Sequence, residues 1–465
     1  MQRMPTTRLN RRTFLQATMA AGLAAPLTAS AQPRPPAGGL VTSEVGRLKR
    51  VLVHEPGAEV TKSFPLFLGN HSMLTWELLR SDAAKQHQAF VGKMREAGVE
   101  VLYFERLLDE ALREARAAKL LGKWLAAHVP ALVEHEARLA VDTLLGRDDD
   151  LIYRRDATGA LQPLISPPTV LFFTRDLAVM TPRGLVFGKF EGDLRSFEGT
   201  LARFVFQHAP PLAHYPVAFD ARTENVHLQG GDVLVLDDKT LLVGVGNSTD
   251  EKAAQRLAQK LELDVISVHM PSKDWKPGEW EGLQLIFYHL DCLLNLIDRR
   301  TALAVPYLLE KAHTRENPIL DVLEGFARLS NLTDAQRTAM LAEVRNIGWI
   351  RRYRAGSGEL DPSIGEIKIV DYLKGAGFKF VFAGGDRDPK QNELQHVVER
   401  VIRGCRFMSV NVLALSPGHV VGYEGTNFTI AALEQAGLRV TTFPAHELVR
   451  ANGGPHCLSM PLERE

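Results

Sequence analysis

Residues 232–268 read DVLVLDDKTLLVGVGNSTDEKAAQRLAQKLELDVISV, and the fold class follows from this stretch. Two aliphatic runs, 232–236 and 240–245, flank the polar turn Asp237-Asp238-Lys239. That pattern is a β-hairpin. Ser248 and Glu251 then stand at the spacing of a capping box, which would open a helix to about Lys260. Residues 265–268 return to a β-branched strand. Working outward, the same hairpin–helix–strand unit recurs near the C-terminus. There, 411–415 and 419–423 flank the turn Ser416-Pro417-Gly418, followed by a helix at 429–436 and a strand at 438–443. The opening segment is a looser copy: a strand at 50–54 closed by Glu55-Pro56-Gly57, a helix at 81–97 and a strand at 99–104. A supersecondary unit recurring at this scale is expected to build a quasi-symmetric α/β repeat architecture. Helical segments interrupt it after Phe104 and between about Pro306 and Arg352.

The 465 residues contain 55 Lys plus Arg and 55 Asp plus Glu, so the formal charge is zero. A nucleic-acid binder would need a basic excess to neutralise phosphates, and polybasic membrane attachment is equally disfavoured. Hydrophobic residues at 45% and charged residues at 24% belong to an ordinary globular protein with ample core. The 3 cysteines, Cys292, Cys405 and Cys457, are too few for a disulfide scaffold and lack zinc-site spacing.

The first residues read as an address rather than as part of the fold. Arg11-Arg12-Thr13-Phe14-Leu15 precedes a modest apolar run from Ala17 to Leu27 and the small-x-small cleavage pattern Ala29-Ser30-Ala31. This resembles a twin-arginine export signal over 1–31, followed by a Pro-rich linker over 32–43. It implies contact with the twin-arginine export machinery, a periplasmic location, and no stable membrane attachment after cleavage.

Four polar clusters do not suit a bland core. They are Phe173-Thr174-Arg175-Asp176 at the end of an apolar strand, Gln229-Gly230-Gly231-Asp232 before the hairpin, His289-Leu290-Asp291 in an apolar strand over 285–296, and Gly453-Gly454-Pro455-His456-Cys457. Asp176 could simply pair with Arg175, the glycines could form only a turn, and His289 could be a satisfied core histidine. Strand residues two apart share a face, so His289 and Asp291 are expected to point together and Cys292 away from them. Buried charge without a partner is costly, so the first two must be compensated. Cys292 and Cys405 read as core residues. Cys457, in a glycine-shaped loop beside His456, reads as exposed for chemistry.

Taken together, these motifs resemble arginine deiminase and the wider guanidino-modifying, or pentein, superfamily. The resemblance covers about 44–104 and 168 to the C-terminus, including Gly46-x-Leu-x-x-Val-Leu-Val-His54 and the closing Cys457-x-Ser459-Met460-Pro461. It implies a five-bladed α/β propeller of ββαβ repeats over 44–465, with a helical insertion at 107–160 and a partly helical one at 306–352. By the same resemblance, Asp176 and Asp291 grip a planar guanidinium through charge-assisted hydrogen bonds. The Cys457 thiolate attacks its central carbon, and His289 protonates the departing amine, then activates water on the thiouronium intermediate. The products are ammonia and a ureido compound, with no metal or organic cofactor. The partner is a small-molecule guanidino substrate, arginine or a relative; the oligomeric state is open.

Three positions depart from the family pattern. Gln229 stands where the family has a glutamate paired with the catalytic histidine; an amide can accept the imidazole's hydrogen bond but cannot balance an imidazolium. Arg195 fits one arginine that grips the substrate's amino-acid end, but Ser248 and Asn452 occupy the positions of two others. Loss of charged contacts worth about 1.5–3 kcal/mol each should weaken the hold on a free α-carboxylate. Two alternatives to a hydrolase share the motif set: an amidinotransferase using the same covalent step, and a degenerate guanidino-binding protein, which Gln229 would favour.

Overall fold

A computed structural model describes residues 40–62, 80–148, 153–155, 157–159, 161–165, 167–191, 195–272, 287–329 and 332–465. The twin-arginine segment and most of the linker lie outside the described residues. Among the described residues, no helix is long and apolar enough to cross a membrane.

Among the described residues, the hairpin–helix–strand unit recurs in five mixed sheets. In each, an antiparallel pair of strands, a hairpin in four of them, is followed by at least one helix and then a strand that pairs parallel with the second strand of that pair. One unit pairs Ala178–Thr181 with Gly184–Phe187, crosses over through the helix Ser196–His208, and ends in Val217–Asp220. The next comprises Val233–Val235, Thr240–Val245, the helix Glu251–Leu261 and Asp264–His269. A further unit joins Leu294–Asp298, Thr301–Ala304 and Lys379–Phe382. Another joins Leu413–Ser416, His419–Tyr423, the helix Asn427–Gln435 and Arg439–Phe443. The remaining unit is shared between the ends of the chain. Its hairpin partner is Met460–Arg464, laid antiparallel on Leu48–Val53, and Glu100–Tyr103 completes it after the helix Arg80–Glu96.

The helix Glu251–Leu261 shows why such segments form. Ala253, Ala254, Leu257, Ala258 and Leu261 recur at helical spacing, and all are buried. Each fully buried leucine contributes about 1.5–3 kcal/mol. The helix stops where Glu262 turns left-handed at φ 52°. The capping box expected at Ser248 and Glu251 is not formed. Asp250 precedes the helix instead, while the Ser248 hydroxyl donates to Asp232 Oδ2 at 2.5 Å and Glu251 accepts from Ser267 and Tyr353. A buried carboxylate in apolar surroundings needs hydroxyl donors more than an accessible helix end does.

After Phe104 the chain is helical, through Phe104–Ala117 and Leu121–His128, and Trp124 packs on Phe204 at a ring separation of 4.4 Å. The later interruption holds the helices Pro318–Leu329 and Asp334–Asn346, then the strand Ile350–Tyr353, which adds to the sheet of Asp264–His269.

Two local expectations are corrected. Within the described part of 285–296, the strand begins only at Leu294; His289 is extended, and Leu290–Cys292 form a tight 3₁₀ turn. His289, Asp291 and Cys292 therefore do not alternate across a sheet. Likewise Thr174–Leu177 is a 3₁₀ turn entering the strand Ala178–Thr181, not the end of a strand.

Candidate active site

Three such turns, 174–177, 230–232 and 290–292, each lead into the first strand of a hairpin, and each carries one buried aspartate. They bring Asp176, Gln229, His289 and Asp291 to one centre, and the loop before Met460–Arg464 brings Cys457.

The turn 230–232 packs against both neighbouring turns, which explains its glycines. A Cβ on Gly230 would lie 1.9 Å from the Arg175 carbonyl oxygen, and one on Gly231 would lie 2.5 Å from His289 Nδ1. Asp232 fastens this turn by accepting from Ser248, Thr249 and the Leu290 amide. Gln229 Oε1 lies 3.0 Å from His289 Nε2, and its amide nitrogen reaches the Tyr288 hydroxyl at 3.4 Å. The departure at Gln229 thus faces the imidazole directly. On the other edge of that ring, Nδ1 lies 3.6 Å from Asp176 Oδ1, which also accepts from the Gly231 amide.

Asp176 does not pair with Arg175. Its Oδ2 accepts from Arg195 Nη1 at 2.6 Å, and Arg195 Nε donates to the buried Glu198 at 2.8 Å. Arg195 Nη2 reaches the Val170 and Phe173 carbonyls, and its guanidinium lies over the Phe190 ring. The arginine expected to meet a substrate anion is therefore balanced by two protein carboxylates. Ser248 is engaged with Asp232. Asn452 sits in a left-handed turn at φ 59°, with a buried amide nitrogen that has no hydrogen-bond partner.

Asp291 is fully buried. Its Oδ2 accepts from His456 Nδ1 at 2.8 Å and lies 3.6 Å from Cys457 Sγ. Burial works to raise the Asp291 carboxyl's pKa. The hydrogen bond from His456 and the nearby positive charge outweigh it and hold the carboxyl below its usual range. Behind His456, Arg175 Nη2 meets the ring at 2.6 Å and bridges to Glu44 at 3.1 Å. Burial opposes the charge on Glu44, but Arg175 and His456 hold this carboxyl well below the usual carboxylate range.

Cys457 is buried, and its thiol pKa is pushed well above the ordinary value. The causes are a hydrogen bond with Cys292, burial and the charge of Asp291. The resting nucleophile candidate is therefore a neutral thiol. Asn411 shapes its loop, and the sequence reading passed this residue over. Its Oδ1 accepts from the Gly454 and Cys457 amides, both at 3.1 Å, while Nδ2 donates to Cys457 Sγ at 3.2 Å and to the Asp291 carbonyl. Asn411 is the side-chain donor poised to favour a thiolate.

Cys292 was expected to point away into the core. Its sulfur instead lies 3.5 Å from Asp291 Oδ1, against the same carboxylate as Cys457, because the turn 290–292 carries it round. Cys405 is buried in apolar surroundings. Among the described residues, no group of three or more histidine, cysteine, aspartate or glutamate side chains is arranged to hold a metal ion.

The sequence profile of arginine deiminase matches residues 76–145 and 130–464. The chain belongs to the arginine deiminase family. It is 30% identical over 450 residues to the arginine deiminase of Clostridium perfringens (strain SM101 / Type A), covering 91% of this chain and 98% of that protein. With the arginine deiminase of Streptococcus uberis (strain ATCC BAA-854 / 0140J) the identity is 27% over 453 residues, at the same coverages of 91% and 98%. Among solved structures, unliganded AgrE is similar at a TM-score of 0.48 and 13% identity, covering 89% of this chain and 39% of that one. As a member of the arginine deiminase family, the chain is a hydrolase acting on carbon–nitrogen bonds of linear amidines, a guanidino hydrolase of the arginine deiminase type.

Proposed function

We propose that this arginine deiminase-family hydrolase removes ammonia from a guanidino compound through a covalent thiouronium intermediate on Cys457. The observation that carries this reading is the convergence of Cys457, Asp291, Asp176 and His289 from three separated stretches of sequence, with a sulfur-to-carboxylate distance of 3.6 Å. Asp176 and Asp291 are two buried carboxylates suited to the edges of a planar cation. A guanidinium placed between them would neutralise the anions that now keep Cys457 protonated, so substrate binding itself would favour the thiolate. The Asn411 amide would then stabilise that thiolate. His289, held by Gln229, protonates the leaving amine and later activates water.

Arg195 acts in this reading by orienting Asp176, since its charge is already met by Asp176 and Glu198. With Ser248 turned to Asp232, a free α-carboxylate has few cationic partners among the described residues. Substrates with a blocked or absent carboxylate should therefore compete well with arginine. The five mixed sheets are read as blades of a propeller of ββαβ units, and the 1–31 segment as a twin-arginine export signal for a periplasmic enzyme.

A panel of guanidino compounds assayed for ammonia release, with and without an amine acceptor, tests the reaction type. Ammonia release independent of the acceptor is expected. Acceptor-dependent turnover would instead indicate an amidinotransferase, and binding without turnover a degenerate protein. Cys457→Ser should lower turnover by about four orders of magnitude or more, as loss of a covalent nucleophile does. A haloacetamidine should label Cys457; labelling mainly at Cys292 or Cys405 would overturn the assignment. Export is tested by replacing Arg11 and Arg12 with lysine and following the protein between cytoplasm and periplasm.

A further inference from the structure

The chain has only 3 cysteines, and two of them lie against one buried carboxylate, Asp291. Cys292 Sγ lies 3.5 Å from one oxygen of Asp291, and Cys457 Sγ lies 3.6 Å from the other. The two thiols thus flank one carboxylate and share one apolar cluster, whereas Cys405 packs in a different one. Nothing in the hydrolytic chemistry uses Cys292. A sulfur beside a nucleophilic thiol nonetheless has a chemistry of its own: it can trap the oxidised form of its neighbour.

We propose that Cys457 and Cys292 form a reversible intramolecular disulfide that switches the enzyme off under peroxide and shields Cys457 from irreversible oxidation. This rests on Cys457 being the nucleophile. In the first step the Cys457 thiolate, with Asn411 donating to its sulfur, attacks one oxygen of a hydroperoxide. The O–O bond breaks, a sulfenic acid forms, and the other oxygen leaves as hydroxide and takes up a proton. In the second step the Cys292 sulfur attacks the Cys457 sulfur. The S–S bond forms, the S–O bond breaks, and that oxygen leaves as water with the Cys292 proton. Two thiols are oxidised by two electrons, and one peroxide is reduced to two waters (or to water and an alcohol). An external dithiol reverses the reaction by exchange. While the link stands, no sulfur is free to attack a guanidinium carbon. Because both thiols are held neutral at rest, the first step should accelerate as pH rises.

The test treats the full chain and its Cys292→Ser and Cys405→Ser variants with hydrogen peroxide, followed by dithiothreitol. Intact mass, peptide maps and guanidino hydrolysis are read at each stage. The wild type should lose activity at least about tenfold, recover most of it with dithiothreitol, and yield the Cys292 and Cys457 peptides joined with the loss of two hydrogens. Cys405→Ser should behave in the same way. Cys292→Ser should show no joined peptide and little recovery, with Cys457 carried on to the sulfinic or sulfonic acid. The mass readout stands even where a variant starts with low activity. Absence of the joined peptide from oxidised wild type, a link through Cys405, or equal recovery in Cys292→Ser would overturn the proposal. A joined peptide with hydrolysis undiminished would overturn the switch by removing Cys457 from the role of nucleophile.

Discussion

Asp176 and Asp291 belong to one cluster of buried polar groups, yet each is held by a different kind of support. Asp176 is gripped directly by Arg195, whose remaining charge is met by Glu198. Asp291 is gripped by His456, and the arginine stands one residue further back, with Glu44 behind it. Both relays end in a buried glutamate. The difference lies in the group that touches the carboxylate. A guanidinium is always charged and fixes geometry with a rigid fork, whereas an imidazole holds a carboxylate through a single proton. Asp176 is thus pinned by a permanent charge, and Asp291, next to the thiols, by a contact that depends on a proton.

The largest effect should come from cutting the Asp291 relay at its far end. Glu44→Gln leaves Arg175 buried with its main carboxylate gone, a loss of about 3–5 kcal/mol, read in denaturant unfolding. Glu44 is ionised far below its ordinary range in the folded state. The stability it supplies is therefore present above the unfolded glutamate's range and lost as pH falls. The variant's stability should accordingly depend less steeply on pH on the acid side. Unchanged stability would mean that the relay is not continuous.

Next come the carboxylates themselves. Asp176→Asn and Asp291→Asn should each lower kcat/KM by about 10²–10³-fold, the effect of removing one preorganised electrostatic partner. Loss in only one of them would show that the guanidinium is held from one side. Arg195→Lys is a finer probe. It keeps a charge but loses the fork, at about 1.5–3 kcal/mol per charged hydrogen bond. If Arg195 orients Asp176, arginine and a decarboxylated analogue should lose efficiency equally. A loss confined to arginine would return Arg195 to the substrate's carboxylate. The smallest effect is expected at Gln229→Glu, where pH–rate profiles should place the wild-type maximum at a more acidic pH than the variant's. An unchanged profile with an altered KM would show that Gln229 touches substrate rather than supporting His289.

Much of this was legible in the chain itself, because aliphatic runs and turn residues report local structure. The hairpins at 233–245 and 413–423 and the helices that follow them fall where period and punctuation place them. The turns at 174–177 and 290–292 were not legible as turns. An apolar run reads as strand whether or not a buried carboxylate breaks it, and only the tertiary partners of Asp176 and Asp291 require the break. Arg195 was recognised, but its balance by Glu198 was invisible without the structure. Asn411 had a signal that was overlooked: Asn411-Val412-Leu413-Ala414-Leu415 repeats Asp232-Val233-Leu234-Val235-Leu236 position by position. The residue at the mouth of one hairpin fastens a turn, and its counterpart in the other repeat shapes the Cys457 loop. Cys292 was misplaced for the same reason as His289, since strand alternation was applied across a turn.

The pairing of Leu48–Val53 with Met460–Arg464 has a consequence in time. Leu52 lies opposite Met460, so the first strand described here waits for almost the last before its edge is covered. During synthesis, the open edge along Arg50, Val51 and Leu52 stays available for mispairing until the C-terminal strand leaves the ribosome. Cys457 emerges only just before that strand, in the loop that precedes it. A ribosome stalled earlier would hold a fragment that lacks both its closing strand and Cys457. Such a fragment is prone to aggregate and, on the role proposed for Cys457, chemically silent. Completion of the sheet and arrival of Cys457 are therefore nearly one event, and with Cys457 as the proposed nucleophile no turnover can precede the sealing of the chain.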